Sequence, residues 1–423
     1  MFNRTAASTR IPWLEIYSLL SWLLLLLARP LLSIRVSRGK EDPLRWQEKL
    51  GRPTQVRPDG LVIWFHAVGL GEVLALRGLI HLLARRLPDA SFLITSTARS
   101  SARVLESNLP PRCVHQFLPL DAPPYLNCFF NYWRPSLSIW AEQELWPGAV
   151  LASLHRSVPL ALVNARLSSA GHHRRQRLRW FYRLMLQSFV LTSAQDNATA
   201  DRLRDLGANS VRVDGSLKPL APPLQADLQE FHRLKELLAS RHLWVAASTH
   251  SGDEAEAIAA QQLLKGTLLI LVPRDPGRSE AIAAALTRAG LSVVRRSRGE
   301  VPGLEHDVWL ADTYGELGLW YRLAPVAFVG GGFDQIGGHN PWEPVALGAA
   351  VLHGADVSNF ADDYAMLDAA DAARMVLPGT LARALQQPDL PLVAMRATSI
   401  MRGLEGRLDS LVQDLAALTQ AAR

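Results

Sequence analysis

The sequence predicts an α/β protein built from two doubly wound domains. Short apolar runs alternate with longer helical stretches along almost all of its 423 residues. Apolar strands separated by helices are typical of parallel sheets that are covered on both faces. A proline-rich stretch beginning at Lys218, KPLAPPLQADL, interrupts this alternation, which then starts again. Because the chain is also too long for one ordinary core, we expect each series of strands to form its own domain.

Each series contains six candidate strands. The first series comprises residues 61–66, 91–97, 136–142, 159–165, 189–194 and 210–215. The second comprises residues 243–249, 267–273, 291–296, 307–312, 325–331 and 349–354. Open parallel sheets bind ligands beyond the carboxyl ends of their strands, so we expect the binding site in a cleft between the two domains.

The N-terminal segment contains a long apolar run that carries almost no charge. Residues 16–34, IYSLLSWLLLLLARPLLSI, contain one charge, Arg29, and as a helix roughly match a ~30 Å hydrocarbon core. The basic residues that follow are expected to stay in the cytoplasm, together with the remaining chain. We therefore predict an uncleaved membrane anchor. A helix lying half-buried in the membrane surface is the nearest alternative.

These features give a predicted division of the chain into four parts. They are an anchor with its basic flank (1–40), an N-terminal domain (41–220), a linker (221–240) and a C-terminal domain that includes a final amphipathic helix (241–423).

Composition and charge restrict the partners. Hydrophobic residues make up 48% of the chain, which fits a folded protein, and the net charge of +6 favours an anionic partner: a nucleic acid, an anionic membrane or a phosphorylated substrate. The two cysteines, Cys113 and Cys128, form no CxxC pair, and the histidines lack zinc-site spacing. We expect a cytosolic main body with neither a disulfide nor a metal.

Three charged groups of the first domain are candidates for chemistry. Glu72 follows a strand and Gly69 and Gly71, and could be a general base or only a favourable acid in a first helical turn. Glu142 and Glu144 follow another strand, where they form either a solvated turn or a second acidic group beside the base. Lys218, at the end of the last strand, is either a surface lysine or a cation for the leaving phosphate or the substrate carboxylate.

The second domain carries a possible nucleotide site. Ser248, Thr249 and Ser251 precede a helix, where hydroxyls can extend a phosphate cradle or simply cap the helix. Arg274, at the exit of a strand, suits contact with a phosphate. The backbone N–H groups of Tyr314, Gly315 and Glu316 could bind a nucleotide base, although an ordinary capped helix start has the same pattern. In VGGGFDQIGGHNPWEPVALG, the glycines permit close approach of a ligand, the helix terminus near Asn340 favours a phosphate, and Glu343 can accept ribose hydroxyls.

Nine motifs in order resemble those of the bacterial Kdo transferases of lipopolysaccharide biosynthesis. They are HAVGLGEV, AEQELWP, LVNARLS, VDGSLK, VAASTHSGDE, LILVPRDP, DTYGELG, FVGGG and GGHNPWEPVALG. The resemblance covers nearly the whole chain and implies the GT-B fold. It also implies transfer of 3-deoxy-D-manno-oct-2-ulosonic acid (Kdo) from CMP-Kdo to a lipid A precursor.

The resemblance also assigns roles to residues. Glu72 becomes the proton acceptor, Glu142 a second acid and Lys218 a residue that stabilises the transition state. The implied CMP contacts are Pro273, Arg274, Tyr314, Gly315, Glu316, Asn340, Pro341, Trp342 and Glu343. Three positions depart from the family, which usually has serine at Gly69, histidine at Asp275 and methionine at Tyr314.

We therefore expect an inverting, metal-free and cofactor-free glycosyltransferase. It would act on the lipid acceptor (lipid IVA) at the cytoplasmic side of the inner membrane, with CMP-Kdo and membrane lipids as partners and no nucleic acid. Two alternatives remain open at the level of sequence. One is a GT-B transferase or epimerase that uses a UDP-sugar, and the other is a non-enzymatic, membrane-tethered polyanion binder.

Overall fold

A computed structural model describes residues 17, 20–67, 70–97, 99, 102, 109–142 and 145–421, except for the side chains of residues 70–74 and of Leu220. The chain forms two compact units. The first contains residues 1–221 together with 404–423, and the second contains residues 222–403.

The first unit is a seven-stranded parallel sheet with helices on both faces. Its strands are β1 (Leu61–His66), β2 (Ala90–Ser96), β3 (Cys113–Phe117), β4 (Leu137–Ala141), β5 (Leu160–Ala165), β6 (Leu191–Ala194) and β7 (Val211–Val213). Its helices are α1 (Leu24–Ser37), α2 (Leu70–Arg86), α3 (Pro123–Trp133), α4 (Pro147–His155), α5 (Ser169–Gln176), α6 (Arg179–Gln187) and α7 (Asn197–Asp205). The strand order is β3-β2-β1-β4-β5-β6-β7, which extends the dinucleotide-binding order by one strand.

The apolar runs became strands because both faces of this sheet are covered. Side chains alternate between the two faces of a strand, and in β1 both sets are buried. Ile63 and Phe65 pack in one hydrophobic cluster with α2, whereas Val62 and Trp64 pack in another with α3. A strand buried on both faces needs an unbroken apolar sequence, which LVIWFH supplies.

The second unit repeats this design. Its strands are β8 (His242–Thr249), β9 (Thr267–Pro273), β10 (Val293–Arg295), β11 (Val308–Leu310), β12 (Val326–Val329), β13 (Ala350–His353) and β14 (Arg374–Met375), in the parallel order β10-β11-β9-β8-β12-β13-β14. Its helices are α8 (Leu228–Leu237), α9 (Ser251–Leu263), α10 (Ser279–Arg288), α11 (Leu317–Leu323), α12 (Trp342–Val345), α13 (Ala361–Ala369) and α14 (Leu381–Leu385).

A long final helix, α15 (Leu390–Ala421), belongs to both units. Leu390 and Val393 pack in a cluster of the second unit, whereas Leu408 and Leu411 are fully buried in a cluster of the first. The structure thus places residues 404–421 with the first unit, where the sequence division placed the whole helix in the second domain. The predicted linker 221–240 contains helix α8, which packs within the second unit because Leu234 is buried there.

The predicted α/β class and all twelve predicted strands are confirmed, with ends that differ by at most two residues. Two strands were not predicted. Strand β3, CVHQF, is short and polar, and β14 has only two residues. Both lie at the edge of their sheets, where few apolar contacts impose a pattern on the sequence.

The N-terminal segment is described from Leu20 onward, with Tyr17 before it. Helix α1 contains Pro30 and rests on the first unit through Ala28 and Leu32, which pack with Leu50 and Tyr125. Among the described residues, no helix is both long enough and apolar enough to cross a membrane. Residues 1–16, 18 and 19, which include the start of the predicted anchor, lie outside the described part.

Candidate active site

The predicted acids of the first unit lie at the point where its strand order reverses. This switch point falls between β1 and β4, which pair in parallel with His66 opposite Trp140. Glu72 is the third residue of α2, the helix that follows β1, and Glu142 directly follows β4. The two residues therefore follow the carboxyl ends of adjacent strands, where open α/β sheets bind ligands. The side chain of Glu72, together with Gly69 and Glu144, lies outside the described part.

Two non-glycine residues near this switch point have left-handed backbone conformations. Glu142 has a φ of 59° and donates its backbone N–H to the oxygen of Val163 at 3.0 Å. Asn164, near the end of the adjacent strand β5, has a φ of 54°. Such conformations cost about 1–3 kcal/mol each and collect at functional sites. This strain supports the reading of Glu142 as a functional residue rather than a solvated turn.

Lys218 is not at the end of a strand, contrary to the prediction. Strand β7 ends at Val213, and Lys218 begins a 3₁₀ turn, Lys218–Leu220, that packs against α2. The preceding Leu217 is fully buried in the cluster that contains α2, and its N–H donates to Asn164 Oδ1 at 3.0 Å. The lysine is thus placed by a buried leucine and by Asn164, a residue that sequence reasoning did not single out.

Beneath these residues, the last side chain of β1 is a buried histidine. His66 Nδ1 lies 2.9 Å from Thr95 Oγ1, and its ring meets the Trp140 ring edge-on. Burial lowers the pKa of His66 to about 3, so the ring is neutral at physiological pH. It supports the switch point without adding charge to it.

The nucleotide candidates of the second unit gather at its own switch point, between β8 and β12. His250 follows β8, Arg274 follows the adjacent β9, and the glycine-rich loop follows β12. Pro273 is buried as the last residue of β9. Three adjacent strand ends therefore contribute to one region.

The glycines after β12 allow this loop to pack tightly on the end of β8. A Cβ on Gly330 would lie 2.7 Å from the backbone oxygen of Ser248, and one on Gly332 would lie 2.6 Å from the Cα of Gly354. Gly331, with a φ of +86°, adopts a conformation that disfavours other residues. The glycines therefore serve backbone packing, in addition to any ligand they approach.

The N-terminus of α9 does not provide the predicted phosphate cradle. The carboxylate of Asp334 already accepts the N–H of Gly252 at 2.8 and 2.9 Å and that of Asp253 at 3.3 Å. An internal carboxylate thus occupies the amides and the positive end of the helix dipole. The hydroxyl of Ser251 also donates to Asp334, at 3.3 Å, and Thr249 is buried. Sequence reasoning missed Asp334 because it lies 82 residues from Gly252.

A second carboxylate ties the same two loops together. Asp253 is buried and accepts the N–H of His250 at 3.0 Å, that of Gly331 at 2.6 Å and that of Phe333 at 3.3 Å. Burial raises the pKa of Asp253, and these N–H donors oppose the rise. The carboxylate holds the glycine loop in register with the start of α9.

Arg274, Asn340 and Glu343 converge beside this junction. Burial raises the pKa of Glu343, while the amide of Asn340, 3.4 Å away, and the positive charge of Arg274 oppose the rise. Arg274 is exposed, and within the described part of the chain no carboxylate forms an ion pair with it. An exposed guanidinium beside a half-buried carboxylate can bind a phosphate while the carboxylate accepts hydroxyl groups.

The residues between Asn340 and Glu343 have structural roles. Asn340 Oδ1 accepts the N–H of Trp342 at 3.1 Å, and the indole of Trp342 is buried and donates to Asp363 at 2.9 Å. Pro341 is also buried, and α12 has only four residues. Asn340 Oδ1 thus already binds one amide at this helix start, and so short a helix has little dipole. The phosphate site at this helix terminus stays a prediction that these contacts do not favour.

Tyr314, Gly315 and Glu316 follow β11, next to the strand end that carries Arg274. Tyr314 is 76% exposed and Gly315 has open space around it. Burial by itself would raise the pKa of Glu316. The Arg296 guanidinium at 2.6 Å and the hydroxyl of Thr313 outweigh this effect and lower the pKa. The carboxylate of Glu316 is thus engaged, and the described contacts do not join this segment to Glu343.

Comparison with known proteins identifies the class. Residues 44–221 match the family model of 3-deoxy-D-manno-octulosonic-acid transferases. The transferase of that name from Rickettsia bellii is 31% identical over 353 residues, which span 82% of this chain and 84% of the relative. That of Bordetella pertussis is 36% identical over 322 residues, spanning 74% and 75% of the two chains.

A solved structure supports the fold alone. The UDP-GlcNAc 2-epimerase from Neisseria meningitidis bound to UDP-GlcNAc matches with a TM-score of 0.51 and 13% identity, over 82% of this chain and 99% of that one. The chain has two α/β units, each built on a parallel sheet with its candidate residues at a switch point, as in proteins with the GT-B fold. Within that class, the chain belongs to the 3-deoxy-D-manno-octulosonic acid transferase family and is a glycosyltransferase.

Proposed function

We propose that this enzyme transfers Kdo from CMP-Kdo to a hydroxyl group of a lipid A precursor, lipid IVA, with inversion at the anomeric carbon. The observation that carries the proposal is the convergence of Arg274, Asn340 and Glu343 at the switch point of the second sheet. Matching this, Glu72 and Glu142 follow adjacent strand ends of the first sheet. The names of the relatives support Kdo as the transferred group.

In the proposed reaction, the carboxylate of Glu72 accepts the proton of the acceptor hydroxyl. The acceptor oxygen then forms a bond to the anomeric carbon while the bond from that carbon to the phosphate oxygen breaks, and the electron pair leaves with CMP. Arg274 and Lys218 would balance the negative charge that develops on the phosphate. Glu142 would raise the proton affinity of Glu72, because like charges oppose a second ionisation. The proposal includes neither a metal ion nor a cofactor.

Replacing the base separates chemistry from binding. We expect Glu72→Gln to reduce transfer by about 10²–10⁴-fold, the range for loss of a general base, and to leave CMP binding unchanged. Mass spectrometry of a lipid acceptor incubated with CMP-Kdo measures the transfer, and calorimetry measures the affinity for CMP. Glu236→Gln, on the exposed side of α8, is the matched control. Turnover near the wild-type rate in Glu72→Gln would exclude Glu72 as the base.

The identity of the nucleotide can be tested without a donor sugar. We expect CMP to raise the unfolding temperature of the full-length protein and UDP to have a much smaller effect. Arg274→Ala should remove the CMP effect. A stronger response to UDP would favour the UDP-sugar alternative, and tight, salt-sensitive binding of nucleic acid would favour the polyanion binder.

We also propose that α1 holds the enzyme on the cytoplasmic face of the inner membrane by lying in the membrane surface. One face of this helix packs on the first unit through Ala28 and Leu32, whereas Leu26, Leu27 and Leu31 are exposed. Exposed basic residues, Arg29, Arg38 and Lys40, lie in and after the helix. An apolar face flanked by cations is suited to the surface of an anionic bilayer.

Vesicle binding tests this placement. We expect the double variant Leu26→Glu/Leu31→Glu to lose at least about tenfold in affinity for anionic vesicles, because two apolar side chains no longer enter the lipid. Leu44→Glu is the control, since Leu44 is 85% exposed but lies outside the helix. Unchanged sedimentation of the double variant with vesicles would contradict the proposal.

A further inference from the structure

Two histidines that neither the sequence patterns nor the family resemblance assigned to the site meet at the switch point of the second sheet. His250 follows β8 and His339 lies in the glycine-rich loop after β12, 89 residues away. Their Nε2 atoms are 3.1 Å apart, and the two rings are nearly parallel, with an angle of 11° between their planes. This is hydrogen-bond distance between two ring nitrogens.

Such a pair holds its protons in a defined way. Two unprotonated nitrogens at this distance would repel each other, so one ring must donate through Nε2–H and the other must accept. One further proton converts the pair to an imidazolium that donates to a neutral imidazole, which is a charge-assisted hydrogen bond. A second added proton would place two N–H groups and two positive charges against each other. The pair therefore accommodates one extra proton and opposes another.

The surroundings of His339 disfavour a proton on its ring in the free protein. Burial, the neighbouring His250 and the positive charge of Arg274 lower the pKa of His339 to about 4. The ring of His339 is therefore neutral at physiological pH in the free protein. The other titratable or charged groups of the elements packed around it are Asp253, Glu254, Arg278, Asp334, Glu343 and Tyr364.

These neighbours are already engaged with other groups. Asp253 and Asp334 accept backbone N–H groups, Glu254 pairs with Arg278 at 2.8 Å, and the hydroxyl of Tyr364 donates to the backbone oxygen of His339 at 3.0 Å. Arg274 is the exposed cation of this group, and its field acts on both His339 and Glu343. An anion bound by Arg274 would reverse the local field and favour the protonated pair.

We propose that His250 and His339 act as a one-proton acceptor that becomes cationic when the phosphate of the nucleotide binds beside Arg274. This inference rests on the proposed nucleotide site. When the bond to the anomeric carbon breaks, the electron pair moves to the phosphate oxygen, and the cationic pair stabilises the added charge. The acceptor's proton goes to Glu72 as before, so the pair keeps its own proton throughout the step.

The sign of the pH dependence follows from linkage. The proton affinity of the pair is higher in the complex than in the free protein, so nucleotide binding takes up protons and becomes tighter as pH falls. The effect appears at pH values where the complex holds the extra proton and the free protein does not, and it disappears at pH values low enough to protonate the free pair. Within this window the affinity changes by up to about tenfold per pH unit.

Calorimetry of the full-length protein with the methyl ester of CMP tests the inference, because this phosphodiester has no titrating phosphate oxygen near neutral pH. Measurements in buffers of different ionisation enthalpy, from about pH 5.5 to about pH 8, give the number of protons taken up. We expect uptake of about half a proton or more at the acidic end. His232→Gln, at an exposed position on α8, should preserve this uptake, whereas the double variant His250→Gln/His339→Gln should abolish it.

Nitrogen NMR of the histidine rings identifies the titrating group directly. In the free protein, we expect the pKa of His339 to rise in His250→Gln, and we expect its ring to become protonated when the methyl ester binds to the wild type. Tight binding without proton uptake would overturn the inference and leave the proposed function standing. If no cytidine nucleotide binds, the proposed function fails. Even without a nucleotide, the NMR titration tests the histidine pair by itself: if both rings titrate independently near the ordinary histidine value, the inference of a shared proton is overturned.

Discussion

At the scale of single residues, the second unit places ionisable groups where their charge is costly. Glu343 is the clearest case, because burial raises the pKa of its carboxyl. A carboxyl whose pKa is higher in the folded than in the unfolded protein destabilises the folded state as pH rises through the unfolded value of about 4.3 toward the folded value. Retaining such a group at the cost of stability is typical of a binding site.

Glu343→Gln should therefore have opposite effects on stability and on binding. At neutral pH we expect stabilisation by about 0.5–1 kcal/mol, since the amide avoids the cost of a buried charge, and the gain should disappear as pH falls toward 4. CMP affinity should fall about tenfold or more, since a charged acceptor for hydroxyl groups is lost. Thermal unfolding across pH and calorimetry measure the two effects. A variant that is less stable than the wild type at neutral pH would contradict this account.

Burial raises the pKa of Asp253 as well, but its carboxylate differs from that of Glu343 because it accepts three backbone N–H groups from two loops. We expect Asp253→Asn to destabilise the protein by about 1–3 kcal/mol and to weaken CMP binding, because an amide nitrogen cannot accept these N–H groups. Asp362→Asn, at an exposed position of α13, serves as the control in thermal unfolding. Equal unfolding temperatures of the two variants would exclude the proposed role of Asp253.

At the scale of elements, the glycine-rich loop after β12 depends on backbone packing. A Cβ on Gly332 would lie 2.6 Å from the Cα of Gly354, a contact that neither backbone can easily relieve. We expect Gly332→Ala to cost about 1–3 kcal/mol and to reduce CMP binding, measured by thermal unfolding and calorimetry.

A glycine in a different element provides the matched substitution. Gly406 lies inside α15, and a Cβ there would meet no atom within 4 Å. Gly406→Ala should therefore stabilise the protein by about 0.5–1 kcal/mol through helix propensity. If both alanine variants shifted the unfolding temperature in the same direction, tight backbone packing would not be the reason that Gly332 is a glycine.

At the scale of the whole molecule, the final helix contributes to the core of the first unit. Leu408, Leu411, Val412 and Leu415 are each buried there. At about 2 kcal/mol for each buried side chain, their loss would remove up to ~8 kcal/mol. This is comparable with the total stability of a typical domain, about 5–15 kcal/mol.

Deletion of residues 404–423 should therefore unfold the first unit and abolish transfer, while the second unit continues to bind CMP. Scanning calorimetry of the full-length and shortened chains would show loss of one transition and retention of another that CMP still shifts. Arg407→Ala, an exposed position of the same helix, should leave both transitions in place. A shortened chain with both transitions intact would contradict the role assigned to the helix.

Much of the site followed from local sequence. Glu72, Glu142 and Arg274 each follow a strand that an apolar run predicted, and parallel sheets bring such positions to one edge. The prediction that Lys218 lies at a strand end was wrong, because the buried Leu217 and the side chain of Asn164 place the lysine in a 3₁₀ turn. The phosphate cradle at α9 was wrong because Asp334, distant in sequence, fills it.

The sequence by itself determined the α/β class, the twelve principal strands and the order of the motifs, because apolar periodicity and glycine or proline positions are local properties of the chain. Tertiary structure alone decided which strand ends are neighbours, and hence that His250 meets His339 and that Asp253 meets Gly331. Strand order depends on packing between residues far apart in sequence, and no local pattern records which distant partner a carboxylate or an imidazole will find.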